Sequence, residues 1–259
     1  MNISLLSKND IEKIHEASLL ILERIGIHVP HEKVLSRFAD IGAIVDNKER
    51  LVKILHAIAK ELISKAGKKF FLHGRNLSKK AEFGTGRRNF NTSSGQAFWL
   101  DNIGEDRRYA TLNDVIIAAK FGEILDQITI PGAMADPQEI PIQWRAIEVA
   151  NEMIQYTEKP ITFWFFDRLS TKFLMDFLIT LRGDEEKARK YPLFQPLFEP
   201  VSPLSFPFNG IDLLFETAKL NMPVQVGPMA QMGMSAPVSY THLRAHETSL
   251  HLVCRLLLE

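Results

Sequence analysis

The stretch Thr157-Glu-Lys-Pro-Ile-Thr-Phe-Trp-Phe-Phe-Asp167 decides the fold class, because a continuous apolar run follows a proline and ends at a carboxylate. A short run rich in aromatic and β-branched residues is typical of a buried strand in a parallel sheet. Comparable runs begin near Ile128, Leu193 and Val224. Their spacing is roughly 30 residues, the length of one strand-plus-helix unit.

Helical patterns fill the intervals between these runs. The expected helices are 141–156, 171–181 and 210–220. Alternating strands and helices predict an α/β fold with a parallel sheet. The rhythm alone leaves a (β/α)8 barrel and a doubly wound sheet open, and about four units are roughly half of what a barrel of about 250 residues contains.

The first 68 residues are predicted to be helical. Ser7 and Asp10 match a capping box at the start of the first helix, and Pro30 opens a second helix. Apolar residues from Leu51 to Leu62 repeat at helical spacing and predict a third helix. We expect these helices to supply core packing and no chemistry.

Residues 69–126 have a different pattern. Short β-type pieces separated by glycines, 70–73, 89–92 and 97–101, predict a small antiparallel sheet. Thr111 and Asp114 then match a second capping box, which begins a lead-in helix. A dinucleotide-binding loop at Gly84-Thr-Gly86 is excluded, because Asn89 replaces the third glycine and no strand-to-helix unit surrounds it.

Composition excludes several function classes. Lys plus Arg and Asp plus Glu both number 31, so no basic field is available for nucleic acid or an anionic membrane. No apolar stretch approaches the roughly 20 residues that span a bilayer. Cys254 is the single cysteine, which excludes an internal disulfide, and no secretory signal opens the chain, so we expect a cytoplasmic protein.

The last residues, 239–259, change character abruptly and resemble translated adapter sequence, so we expect a non-native tail. Its histidines suggest a metal site, but His246-Glu247 and His251 have a five-residue spacing that does not match the zinc-helix motif. His242 and His246 have i, i+4 spacing, which leaves a surface zinc site as the alternative.

Several modest motifs occur in one order along residues 3–238 and together resemble the trimethylamine methyltransferase family. They are Ile14-His-Glu-Ala-Ser18, Leu22-Glu-Arg-Ile-Gly26, Arg107-Arg-Tyr-Ala-Thr111 with Asp114, Thr157-Glu-Lys-Pro160, Ser202-Pro-Leu204, Gly227-Pro-Met229 and Ala236-Pro-Val238. The resemblance implies a TIM-type barrel, of which 127–238 is the first half. The rest of the chain is then divided into an N-terminal helical region, 1–68, a small β region with its lead-in helix, 69–126, and a tail, 239–259.

The resemblance also implies methyl transfer from a methylated amine, such as trimethylamine or a betaine, to the cobalt of a corrinoid. The corrinoid is supplied by a partner protein, so no cofactor or metal is expected on this chain, and a homo-oligomer is compatible with the family. The catalytic position is expected outside this half of the protein.

In a barrel, functional groups project from the C-terminal ends of the strands. A methylammonium group is best held by aromatic faces and a nearby carboxylate. The candidate substrate-binding residues are Asp136, Trp164, Phe166, Phe198, Glu199, Ser202 and Met229. Core packing is the alternative for each aromatic residue, and a non-catalytic quaternary-ammonium-binding domain or an inactive fragment is the alternative for the chain.

Overall fold

In a computed structural model, which describes residues 6–227, the chain has a mixed α/β fold. The helices are α1 Lys8–Arg24, α2 Glu32–Asp40, α3 His56–Lys65, α4 Leu112–Ile124, α5 Ile142–Tyr156, α6 Arg168–Arg182, α7 Glu185–Lys190 and α8 Phe208–Ala218. The strands are β1 Ile27–His28, β2 Ile44–Asp46, β3 Leu51–Lys53, β4 Phe70–His73, β5 Lys80–Phe83, β6 Phe98–Trp99, β7 Arg108–Tyr109, β8 Leu197–Phe198 and β9 Gln225–Val226.

Five extended segments lie side by side in chain order, and every bridge recorded between them is parallel. We call them the parallel array: residues 90–96, 129–136, 161–166, 193–199 and 225–227. Bridges join Gln96 to Ala135 and Gly132 to Thr162, and β8 pairs with β9 in parallel. A single backbone hydrogen bond of 3.1 Å, from Ile161 N–H to the Leu193 carbonyl, joins the middle segments.

The predicted rhythm is confirmed for its four apolar runs, each of which enters the array. Helices α5, α6 and α8 connect successive runs, and α4–α5, α5–α6 and α6–α8 pack against each other. Their inner faces form one core with the buried faces of the segments. Among residues 6–227 no sheet closes into a barrel.

The antiparallel region was predicted only in part. The β4–β5 and β6–β7 pairs are antiparallel as expected. The prediction for residues 89–92 was wrong, because Asn91 bridges Ile130 in parallel and the segment extends the array by one member. This pairing joins residues far apart in sequence, so the local turn signals around it could not reveal it.

The N-terminal region is not purely helical, which corrects the prediction for its third helix. Leu51 and Val52 belong to β3, the middle strand of a three-stranded antiparallel sheet, and α3 begins only at His56. Burial alternates along β3, with Val52 fully buried between two half-buried neighbours. The helical spacing of the apolar residues there was therefore coincidental.

This N-terminal sheet packs on the last unit of the parallel array. Leu19, Val29 and Phe38 share a core with Ile211 of α8 and Val226 of β9. The backbone of β1 also holds the loop at 199–206: His28 N–H donates to the Leu204 carbonyl at 2.8 Å, and Phe206 N–H donates to the His28 carbonyl at 3.0 Å. The N-terminal region thus fixes a loop that follows the fourth segment.

The N-terminal ends of the segments are closed by the β4–β5 hairpin and by Lys159. His73 N–H donates to the Pro192 carbonyl at 2.7 Å. Lys159 Nζ donates to the carbonyls of Gly122 and Leu125 at 2.8 Å each, which satisfies the end of α4. Lys159, in the Thr157–Pro160 motif before the second apolar run, therefore has a structural role.

No helix within residues 6–227 combines the length and apolarity needed to cross a membrane.

Candidate functional site

A cleft of about 980 Å³ opens at the C-terminal ends of segments 161–166 and 193–199. Its walls come from these two segments, from the loop after the second of them and from the start of α8. The lining residues are Trp164, Phe165, Phe166, Leu197, Glu199, Pro200, Val201, Ser202, Pro203, Leu204, Pro207, Gly210 and Leu213. The strand-end rule used on the sequence therefore predicts the location of the cleft.

The aromatic wall follows from strand alternation. Phe163 and Phe165 pack against Phe194 on the helix-facing side, with ring centroids 5.4 and 5.6 Å from its centroid. Trp164 and Phe166 are half-buried and line the cleft, and Phe166 also packs against the edge of the core. Core packing thus accounts for Phe163, whereas Phe165 packs in the core and also borders the cleft beside Trp164 and Phe166.

The indole of Trp164 is held in place by a neighbouring segment. Its Nε1–H donates to the Gly95 carbonyl at 2.8 Å. The bond reaches across segment 129–136, since Gly95 and Trp164 both lie beside Met134 in the register of the array. An aromatic side chain with a bonded polar edge presents its face in one orientation.

Glu199 is the single ionisable side chain among the residues that line the cleft. Alternation along segment 193–199 places Leu197 and Glu199 on the cleft side and Phe198 on the other side. Phe198 is fully buried and packs edge-on against Phe206 at 5.4 Å. It therefore lies in the core that contains the N-terminal sheet and does not line the cleft.

Asp136 lies at the end of its segment but is engaged by protein groups. Its Oδ2 accepts from Arg145 Nη1 and from Gln138 Nε2, both at 2.9 Å. The same guanidinium donates twice to the Ile140 carbonyl and lies 5.8 Å from the centroid of Phe166. Asp136 thus reaches the cleft only indirectly, through Arg145 and Phe166.

The remaining candidates have different positions. Ser202 is exposed and lines the cleft on the loop that β1 holds. Asp167, which directly follows the second run, caps α6 by accepting from the N–H groups of Leu169 and Ser170. Met229 lies outside the described residues, as does the 239–259 tail with its histidines.

An ion pair between an exposed arginine and a buried glutamate joins α6 to α8. Glu216 is 2% exposed and accepts from Arg168 Nε at 2.8 Å and from Lys219. Burial alone would raise the pKa of Glu216, but the hydrogen bonds from Lys219 and Arg168 outweigh it and hold the pKa below its usual range. This carboxylate is therefore ionised, paired and structural.

Sequence reasoning missed two residues that contact the aromatic lining of the cleft from outside it, Gly95 and Arg145. Gly95 was read only as a separator between β-type pieces. Arg145 occupies the buried stripe of α5 beside Ala146 and Val149, and a charged residue on such a stripe signals a buried partner. Within residues 6–227, no three His, Cys, Asp or Glu side chains are grouped to hold a metal ion.

Comparisons with known proteins identify the family. A model of the trimethylamine methyltransferase (MTTB) family matches residues 1–248. Trimethylamine methyltransferase MttB of Desulfitobacterium hafniense (strain DSM 10664 / DCB-2) is 27% identical over 233 residues, which cover 90% of this chain and 46% of the relative. Trimethylamine methyltransferase MttB1 of Methanosarcina acetivorans is 25% identical over 264 residues, with 92% and 49% covered.

A glycine betaine methyltransferase of Desulfitobacterium hafniense (strain Y51) is 24% identical over 237 residues, which cover 91% of this chain and 49% of the relative. The chain spans about half the length of these curated relatives. The family match covers most of the chain and agrees with the ordered motifs of the sequence. The chain belongs to the trimethylamine methyltransferase (MTTB) family.

Proposed function

We propose that this chain forms part of a site that transfers a methyl group from a methylated amine to the cobalt of a corrinoid on a partner protein. The observation that carries the proposal is the cleft, in which three aromatic side chains and one carboxylate meet at the C-terminal ends of neighbouring segments. Membership of the family and relatives named for trimethylamine and glycine betaine support the substrate class.

The proposed architecture is the first part of a TIM-type barrel. Three of the four neighbouring segment pairs are parallel, and consecutive helices pack against each other around one core that they share with the segments. The cleft lies where barrel enzymes place their active sites. In this proposal further strands would continue from β9 and supply the catalytic position.

The chemistry of the cleft suits a methylammonium group. The positive charge of such a group is spread over its methyl groups, and aromatic faces attract it through their quadrupole, Trp most strongly. Trp164 offers a face held by its hydrogen bond to Gly95. Phe166 offers one face, because the Arg145 guanidinium lies over the ring. Glu199 supplies the negative charge.

This arrangement assigns Glu199 to binding rather than to bond cleavage. When a quaternary amine loses a methyl group, the electron pair of the broken C–N bond stays on nitrogen, which becomes neutral. A carboxylate beside the nitrogen therefore stabilises the substrate more than the transition state. Loss of Glu199 should raise KM without lowering kcat.

Calorimetric titration with tetramethylammonium chloride and with glycine betaine tests the site. We expect saturable binding to the wild-type chain and about tenfold weaker binding of tetramethylammonium to Glu199→Gln, equivalent to about 1.4 kcal/mol. Glu148→Gln, an exposed change on α5, is the matched control and should bind like wild type. Absence of saturable binding of both ligands would refute the proposed site.

A methyl-transfer assay with free cob(I)alamin and a panel of methylated amines separates the two candidate functions. Transfer supports the enzyme. Binding without transfer favours a non-catalytic quaternary-ammonium-binding domain, an alternative that the aromatic and carboxylate lining of the cleft supports. Cytoplasmic location and assembly into a homo-oligomer belong to the same proposal, and the presence of a single cysteine, Cys254, supports the former.

A further inference from the structure

We infer that Gly95 is a positioning residue for the methylammonium site, because it fixes the indole of Trp164 through its carbonyl and through its lack of a side chain. The inference rests on the proposed function and adds a residue that lies two segments away from Trp164 in the parallel array. Gly95 contributes no side chain to the cleft, and it acts only through the ring that does.

One hydrogen bond anchors the indole of Trp164. Trp164 Nε1–H donates to the Gly95 carbonyl at 2.8 Å, a length typical of a good N–H···O bond. Trp164 lines the cleft and is half-buried, so its ring would otherwise sample other rotamers. The bond ties the polar edge of the indole to rigid backbone and leaves a ring face for the ligand.

The anchored indole occupies the space that a side chain at residue 95 would need. A Cβ at Gly95 would lie 3.0 Å from Trp164 Cδ1 and 3.1 Å from the Ala135 carbonyl oxygen. Cδ1 neighbours the Nε1 atom that makes the bond, so an added methyl group would press on the anchored edge of the ring. The φ of Gly95 is +152°, which L side chains rarely adopt. The contact and the conformation both favour glycine over any residue with a side chain.

The backbone around Gly95 is held by hydrogen bonds to the neighbouring segment. Gln96 N–H donates to the Met134 carbonyl at 3.1 Å, and Asp136 N–H donates to the Gln96 carbonyl at 2.9 Å. These bonds fix the backbone on which the Gly95 carbonyl sits. A preorganised aromatic wall binds a cation without a further ordering cost at the moment of binding.

A double-mutant cycle tests the inference with tetramethylammonium as the probe. We expect Gly95→Ala to weaken binding about tenfold. The same substitution in a Trp164→Phe background should change affinity less than about twofold, because Gly95 acts only through the indole. Gly86→Ala is the control, since Gly86 also has positive φ but no atom within 4 Å of its would-be Cβ. Unchanged affinity in Gly95→Ala, or equal losses in both backgrounds, would overturn the inference.

A ligand-free measurement separates the anchor from the proposed substrate. With Trp99 and Trp144 replaced by phenylalanine, Trp164 is the remaining tryptophan. Gly95→Ala in this protein should lower its fluorescence anisotropy and increase acrylamide quenching, while Gly86→Ala should do neither. Identical anisotropy and quenching in Gly95→Ala would refute the anchor. If the anchor is present but wild type binds no tetramethylammonium, the proposed ligand fails and the anchor stands.

Discussion

Replacement of Arg145 by methionine tests whether Asp136 is a structural group or a ligand-binding one. Arg145 is 9% exposed, and its guanidinium makes one hydrogen bond to Asp136 and two to the Ile140 carbonyl. Methionine has a similar length and no donors, so it removes these bonds with little change in packing.

The expected loss of unfolding free energy depends on the contacts that Asp136 and Ile140 keep after the substitution. Removing one partner of a buried ion pair costs about 3–5 kcal/mol. The side chain of Asp136 is 16% exposed and retains its bond from Gln138, so the lower end, about 3 kcal/mol, applies. The Ile140 carbonyl loses its two donors, which adds about 1 kcal/mol. We therefore expect Arg145→Met to lower the free energy of unfolding by about 4 kcal/mol.

Urea unfolding followed by circular dichroism measures this change, with the m-value checked for constancy. Adding Asp136→Asn to Arg145→Met should restore about 1–2 kcal/mol, because it removes the carboxylate that the first substitution left unpaired. A loss below about 1 kcal/mol in Arg145→Met would refute the reasoning. Asp136 would then be available to a ligand, as the sequence suggested.

Two further predictions concern stability. Hydrogen bonds from Arg108 hold the pKa of the buried Asp114 carboxyl below its usual range. The stability that this carboxylate contributes is therefore present above about pH 4 and is lost as the pH falls towards the lowered pKa. Thermal unfolding from pH 7 to pH 3 should show a smaller decline for Asp114→Asn than for wild type, and parallel curves would contradict this. Gly74→Ala should lower the free energy of unfolding by about 3 kcal/mol, because its Cβ would lie 1.8 Å from the Glu158 carbonyl oxygen. Gly67→Ala is the control in the same urea assay and should leave this free energy nearly unchanged, because no atom lies within 4 Å of its would-be Cβ.

Local signals in the sequence predicted local structure well. The capping boxes at Ser7–Asp10 and at Thr111–Asp114 are both formed, because each involves atoms three residues apart. The same local reasoning was wrong at Leu51, whose apolar neighbours fit a helix by spacing but pair in a sheet. Sheet pairing is decided by partners distant in sequence, and periodicity carries no information on them.

The candidate site shows the same division. The position of Trp164, Phe166 and Glu199 at one cleft was predictable, because the carboxyl ends of neighbouring parallel strands meet at one edge, and their role in binding stays a prediction. Phe198 could have been separated from them by the period-two rule, since adjacent residues on a strand face opposite sides. Gly95 was not predictable from its neighbours, because its role depends on a hydrogen bond between residues 69 positions apart.

The N-terminal region acquires a role that its sequence did not suggest. It was expected to supply packing alone, yet β1 forms two backbone hydrogen bonds with the loop that carries Ser202. Its apolar residues also pack against Phe198, the residue directly before Glu199. The strand that presents Glu199 to the cleft is thus held from behind by the N-terminal core, and the loop that follows is held at its edge. The geometry of the proposed ligand site therefore depends on a region that contributes no side chain to its lining.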